Sequence, residues 1–226
     1  MANVLAPNGF TPIKRVDGAS WTGNQSIRKI RANNTHYFFK GDPVVSLSSG
    51  YIDAVAPGSL PGNAQIAGIF IGCEYLSIAK GYVTWAPFFP GGDTTQDVLA
   101  YIIDDPFVVF AVQSANSNTT ASPAAISNIG QNINFGNANT MGTSSAGNTL
   151  SGLSQCYIDL FTAATTTNLP FRVYDIPNVQ VSAAGLPGAT LSSIGALGNG
   201  YDPSTAYNIV FVTINSSDLR SPQAGI

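Results

Sequence analysis

The residues able to do chemistry are few and scattered. His36 is the only histidine, and Cys73 and Cys156 are the only thiols. A nucleophilic pair would need one thiol beside His36, in a setting that lowers the thiol pKa. His36 lies in Asn33-Asn34-Thr35-His36-Tyr37, which reads as surface, and neither cysteine has an activating neighbour in sequence. No G-x-S-x-G elbow accompanies the histidine. Carboxylates for glycoside hydrolysis are conceivable among Glu74, Asp93, Asp97, Asp104 and Asp105, but nothing singles out a pair. Asp104-Asp105 followed by Pro106 reads as a turn between two strands.

Binding chemistry is equally sparse. A metal site needs clustered His, Cys or carboxylates, and no such cluster stands out, so no metal is expected. Gly195-Ala196-Leu197-Gly198-Asn199-Gly200 spells G-x-x-G-x-G, not the dinucleotide order, and has no βαβ frame, so no cofactor is expected. Trp21, Trp85, Phe88 and Phe89 include the material of a sugar-stacking platform, with core and interface packing as the weightier reading. These observations point away from an enzyme.

Composition points toward assembly instead. Charged residues make up only 9% of the 226-residue chain, against roughly 25% in an ordinary soluble domain. Residues 106–158 contain none at all. A neutral surface suits a protein whose faces are covered by neighbours, because burying unpaired charge is costly. Six of the nine basic residues (Lys14, Arg15, Arg28, Lys29, Arg31 and Lys40) fall in the first 40 positions beside one acid, Asp17. That segment is net +5, and since the whole chain is −3, the remainder is −8. Two readings stay open: a basic segment that docks on an acidic partner, or a solvated basic face. The low charge excludes nucleic acid as an expected partner. No window has the apolar length of a membrane-crossing helix, so no membrane is expected. The opening Met1-Ala2-Asn3-Val4-Leu5-Ala6-Pro7 has no basic start or long apolar run, so synthesis in the cytosol and reduced, buried thiols are expected.

The positioning elements are strands. Residues 1–23, rich in Pro, Gly and Asn with singly spaced apolar residues, read as an extended N-terminal arm. Short β-branched and aromatic runs then cover 25–31, 36–40, 44–47, 51–55, 66–76, 81–89, 98–103 and 107–113, with turn residues between them. Residues 24–113 read as one β-rich domain, 114–152 as a charge-free loop region, and 153–226 as a second β-rich part that belongs to the same domain or to another. In the loop region, Ser122 as cap, Pro123 at the first position, Ile126, Ile129 and Ile133 on one face and Gly136 at the end predict a short helix near 123–135. The runs 171–176 and 207–214 are the strongest later strands. The expected fold is mainly β, a barrel or sandwich of jelly-roll-like kind with that one helix and long loops. No sequence repeat relates the two β halves.

Several motifs carry a family likeness. Leu5-Ala6-Pro7-Asn8-Gly9-Phe10-Thr11-Pro12 resembles the start of a group of tailed-bacteriophage virion proteins, as do Lys40-Gly41-Asp42-Pro43-Val44, Ile66-Ala67-Gly68-Ile69-Phe70-Ile71-Gly72-Cys73-Glu74-Tyr75, Ile103-Asp104-Asp105-Pro106 and Pro170-Phe171-Arg172-Val173. The pattern G-D-x-V followed by I-A-G-I is similar to small head-decoration domains, where a barrel strand pair carries it. The resemblance implies a non-enzymatic cement protein on the outside of a phage capsid, made in the host cytoplasm. Its partners would be the major capsid protein and further copies of itself, as a dimer or trimer on a symmetry axis. Candidate capsid-contact residues are Phe10, Lys14, Arg15, Trp21, Arg28, Lys29 and Arg31. A tail, neck or fibre-base component and a carbohydrate-binding virion module are the alternatives.

Overall fold

In the computed structural model, residues 5–55, 65–116, 123–137, 147–166, 168–177, 206–221 and 224–225 are described. The chain is mainly β. In order the strands are β1 (Thr11–Arg15), β2 (Ser26–Ile30), β3 (Phe38–Phe39), β4 (Pro43–Ser46), β5 (Ile52–Ala54), β6 (Gly68–Leu76), β7 (Val83–Ala86) and β8 (Phe88–Phe89). They continue with β9 (Val98–Ile103), β10 (Val108–Ala115), β11 (Asn132–Asn137), β12 (Gly147–Asn148), β13 (Leu153–Ser154), β14 (Cys156–Ala164), β15 (Phe171–Asp175) and β16 (Ile209–Ile214).

Ten of these strands close into two five-stranded barrels. The first runs β4-β5-β2-β9-β6 and closes through β4–β6; the second runs β10-β14-β11-β15-β16 and closes through β10–β16. Counted along the chain, both rings have the same order, 1-3-2-4-5. In both, the first and third strands are parallel (β2–β5 and β10–β14), and the other four pairings are antiparallel. The two halves are thus a topological repeat that the sequence does not display. Each barrel carries one added strand: β7 on β6 and β1 on β10.

Alternation builds each wall. Along β6, Phe70, Cys73 and Tyr75 point into the first barrel, while Gly72, Glu74 and Leu76 face outward. The register shift between Phe70 and Gly72 lets Ile71 turn toward the second core. Ile30, Phe38, Val44, Phe89, Val98 and Ile102 complete the first core. Phe110, Ile133, Ile158, Phe171, Val210 and Val212 form the second. Full burial of such side chains contributes about 1.5–3 kcal/mol each before the entropy of ordering.

The barrels form one body. Residues 104–107 join β9 to β10, and Ile66, Ile69 and Ile103 of the first half are buried in the second core. The Ile66 N–H donates to the Ser216 carbonyl at 3.1 Å, and the Lys40 N–H donates to the Gly152 carbonyl at 2.9 Å. Within the first barrel, Gly68 lets β6 pass close to β9, since a Cβ there would run into the Ile103 carbonyl. The two halves of the G-D-x-V and I-A-G-I pattern lie side by side, with Pro43 opposite Ile69 and Val44 opposite Gly68.

The expected mainly β, barrel-type fold is present, in the form of two five-stranded rings. Other expectations need correction. The helix near 123–135 is absent: only Ile126–Asn128 makes a single 3-10 turn, and Asn132–Asn137 is β11. Gly130 at φ +84° ends the turn, and Ile133 and Phe135 then alternate into the second core. Ile126 is 69% exposed, so the proposed isoleucine stripe is not a buried face. Within the segment expected as an extended arm, β1 pairs with β10 and Phe10 lies in the second core. The domain limit drawn at 113 falls inside β10, whereas the barrels divide at 104–107. Ser122, the glycines of 195–200 and the loop stretches 117–120 and 138–146 lie outside the described residues.

Candidate interaction surface

The residues with chemical potential are held apart and used structurally. His36 Nδ1 lies 2.8 Å from Asp53 Oδ1, and Asn34 Nδ2 donates to the same oxygen at 3.2 Å. Cys73 is buried in the first core, and burial pushes its thiol up to about 12. Cys156 is buried in the second core; burial and then the Asp42 carboxylate beside it push that thiol well up, and Cys156 Sγ donates to Asp42 Oδ1 at 3.5 Å. Neither is a thiolate near neutral pH. Among the described residues, no group of three or more His, Cys, Asp or Glu gathers as a metal site. No helix there is long and apolar enough to cross a membrane.

The carboxylates organise the backbone. Asp105 Oδ1 accepts the Phe107 N–H at 2.9 Å, which makes the expected turn before β10. Asp97 accepts the Ala32 N–H at 3.1 Å and the Tyr51 hydroxyl at 3.2 Å. Asp42, fully buried, accepts the Phe39 N–H at 2.7 Å. Asp93 holds the turn after β6: its carboxylate accepts the Ser77 hydroxyl at 2.6 Å and the Ala79 N–H at 2.9 Å.

The seven candidate contact residues do not form one docking face. Phe10 is 2% exposed and stacked on Phe171, so it is a core residue. Trp21 is half-buried against the same core. Lys14 lies over the rings of Tyr174 and Phe211, at 5.4 and 5.8 Å. Arg15 pairs with Asp105 and, at 3.6 Å, with Asp17. Arg28 pairs with Asp104 at 3.5 Å, Lys29 with Asp97 at 3.8 Å, and Arg31 is exposed. Three of the six basic residues of the first 40 positions are therefore met by aspartates of the β9–β10 region. Opposite charges far apart in sequence meet because β2 pairs with β9 and β1 with β10.

The aromatic run 82–90 also divides. Phe89 is buried, and Phe88 stacks on Phe39 with centroids 5.7 Å apart. Trp85, by contrast, is 63% exposed. It stands on β7 with Val83, at 59%, while Thr84 between them is 6% exposed and faces inward. The polar residue is inside and the apolar residues are outside, the reverse of a solvated strand. Leu76 pairs across from Val83, and Ile78 and Tyr82 in the connecting turn are each 60% exposed. On β9 and β2 the same outer face continues through Leu99, Tyr101 and Ile27. Gly72 leaves the Trp85 ring its seat, since a Cβ there would lie 3.2 Å from Trp85 Cζ2. Val83, Trp85, Leu76, Ile78 and Tyr82 thus leave large apolar side chains exposed on and beside β7. The sequence signal was present as the alternation Val83-Thr84-Trp85, but its direction depends on which side of β7 faces the barrel.

No protein-family model matches this chain, and no curated protein or solved structure matches it either.

Proposed function

We propose that this chain is a structural virion protein that binds the outside of a phage capsid and bridges neighbouring major capsid protein subunits. The observation that carries the reading is the packing of two like-ordered barrels against each other through a shared core and backbone hydrogen bonds. A body with two such barrels can engage two lattice subunits at once, and the second contact then forms at a high effective concentration. Such a clamp favours the assembled lattice by mass action, because it binds that state and not dissociated subunits. The outward apolar face around Trp85 and the scarcity of charge support a protein that works covered by neighbours.

The test is co-sedimentation of the purified chain with expanded capsids that lack it. Saturable binding, with a higher capsid disruption temperature, is the expected result. A chain that stays in the supernatant at all capsid concentrations contradicts the proposal.

A further inference from the structure

We propose that β7 is the seam of a homodimer, in which it pairs antiparallel with β7 of a second copy about a two-fold axis at Thr84. This deepens the assembly reading by naming the occupant of the Trp85 face, and it rests on that reading only for its biological use.

Among the described residues β7 is hydrogen-bonded to β6 alone, which leaves one edge open. The Ser77 N–H donates to the Tyr82 carbonyl at 3.1 Å. By the alternation of an antiparallel ladder, Thr84 and Ala86 then also bond toward β6, and Val83 and Trp85 direct their N–H and C=O groups to the open side. Exposed edges normally carry a proline, a charge or a bulge that blocks further pairing. The other added strand, β1, has all three: Pro12, Lys14 and a register shift between them. Val83-Thr84-Trp85-Ala86 has none.

The occupant follows from symmetry, charge and area. A two-fold axis at Thr84 sets Val83 opposite Trp85 of the second copy, and the reverse, so one favourable aromatic–β-branched pair forms twice. The outer sheet face around β7 carries Lys29, bound to Asp97, and Glu74, which accepts the Tyr101 hydroxyl at 3.1 Å, and the adjoining turn adds the exposed Lys80. Val83-Thr84-Trp85-Ala86 itself brings no charge to the pairing. The exposed parts of Leu76, Ile78, Tyr82, Val83 and Trp85 amount to roughly 500 Å² per copy, so two copies reach the ~1,000 Å² that a specific interface needs.

Sedimentation velocity on the purified chain, with Val83→Pro and Trp85→Lys, tests this. Proline at 83 removes only an N–H that points away from β6, so the β6–β7 ladder survives. The wild type is expected at twice the chain mass. Both variants are expected as folded monomers by circular dichroism, with the dimer dissociation constant raised about thirtyfold or more. A wild-type monomer at micromolar concentration, a trimer, or a dimer unchanged in both folded variants overturns the proposal. The assay contains no capsid, so a dimer that fails to co-sediment with capsids refutes the capsid reading and leaves this one standing.

Discussion

Phe10 lies nearly parallel to Phe171, with ring centroids 4.3 Å apart and planes 20° apart. The contact joins the N-terminal segment to the fourth strand of the second barrel, and Phe110 and Phe135 meet Phe10 edge-on at 6.3 and 6.2 Å. Just before it, Gly9 adopts φ +70° against Gly41, whose carbonyl accepts the Phe10 N–H at 3.0 Å. Within the segment that reads as an extended arm, Phe10 is thus part of the core.

Phe10→Ala is expected to lower unfolding free energy by about 3–5 kcal/mol, the range for truncating a buried phenylalanine. Chemical denaturation checks this. Deletion of residues 1–23 is expected to destabilise the second barrel as well as any capsid attachment. An unchanged denaturation midpoint for both would show that the segment is dispensable to the fold.

Arg28→Glu sets a carboxylate beside Asp104, whose side chain is 17% exposed, and is expected to cost ~1 kcal/mol. Arg31→Glu, on the open surface, is expected to leave stability within about 0.5 kcal/mol. With Arg15, Arg28 and Lys29 paired internally, capsid attachment is expected to survive Arg31→Glu and to change little between about 0.05 and 0.3 M salt. A steep loss with salt would place the basic residues at the contact after all.

Asp93 gives the Trp85 face a defined acid limit. Burial raises its pKa, but hydrogen bonds from the Ser77 hydroxyl, the Ala79 N–H, the Tyr75 hydroxyl and the Ile78 N–H outweigh this and hold it below the usual carboxylate value. A depressed folded-state pKa adds stability that is present above the unfolded value, about 3.9, and is lost as pH falls through the folded one. The protection factor of the Ala79 amide, its rate taken relative to an unstructured amide at the same pH, is expected to be high at neutral pH and to fall in acid below that range. Asp93→Asn is expected to show fast exchange already at neutral pH. Equal protection in the two proteins would contradict the role given to the carboxylate.

Both thiols are expected to resist alkylation in the native state at pH 8 and to react on unfolding, because burial holds each in the neutral form. Mass spectrometry after brief exposure to iodoacetamide reads this directly. Rapid native labelling of Cys73 or Cys156 would return a reactive cysteine to consideration.

Local pattern made the strands legible. The run expected at 98–103 is β9 itself, those at 25–31 and 66–76 contain β2 and β6, and that at 207–214 contains β16. Closure was not legible. It depends on short parallel contacts, such as Ile30 beside Ile52 and Ser114 beside Ile158, which leave no periodic trace. The repeat was hidden because the segments between matching strands differ in length, while ring order is a property of pairing. The helix was misread because Ile126, Ile129 and Ile133 satisfy a helical spacing by coincidence, and pairing of Ile133 with Phe171 decides the outcome. The interaction face was half-legible: the aromatic run was visible, but Thr84 rather than Trp85 turned inward.

The most direct test of the central claim is the copy number of this chain in purified virus particles from its source, measured by quantitative mass spectrometry against the major capsid protein. A lattice-bridging protein is expected at a ratio near one, or at a simple fraction of it. A handful of copies per particle, or none, would contradict the claim.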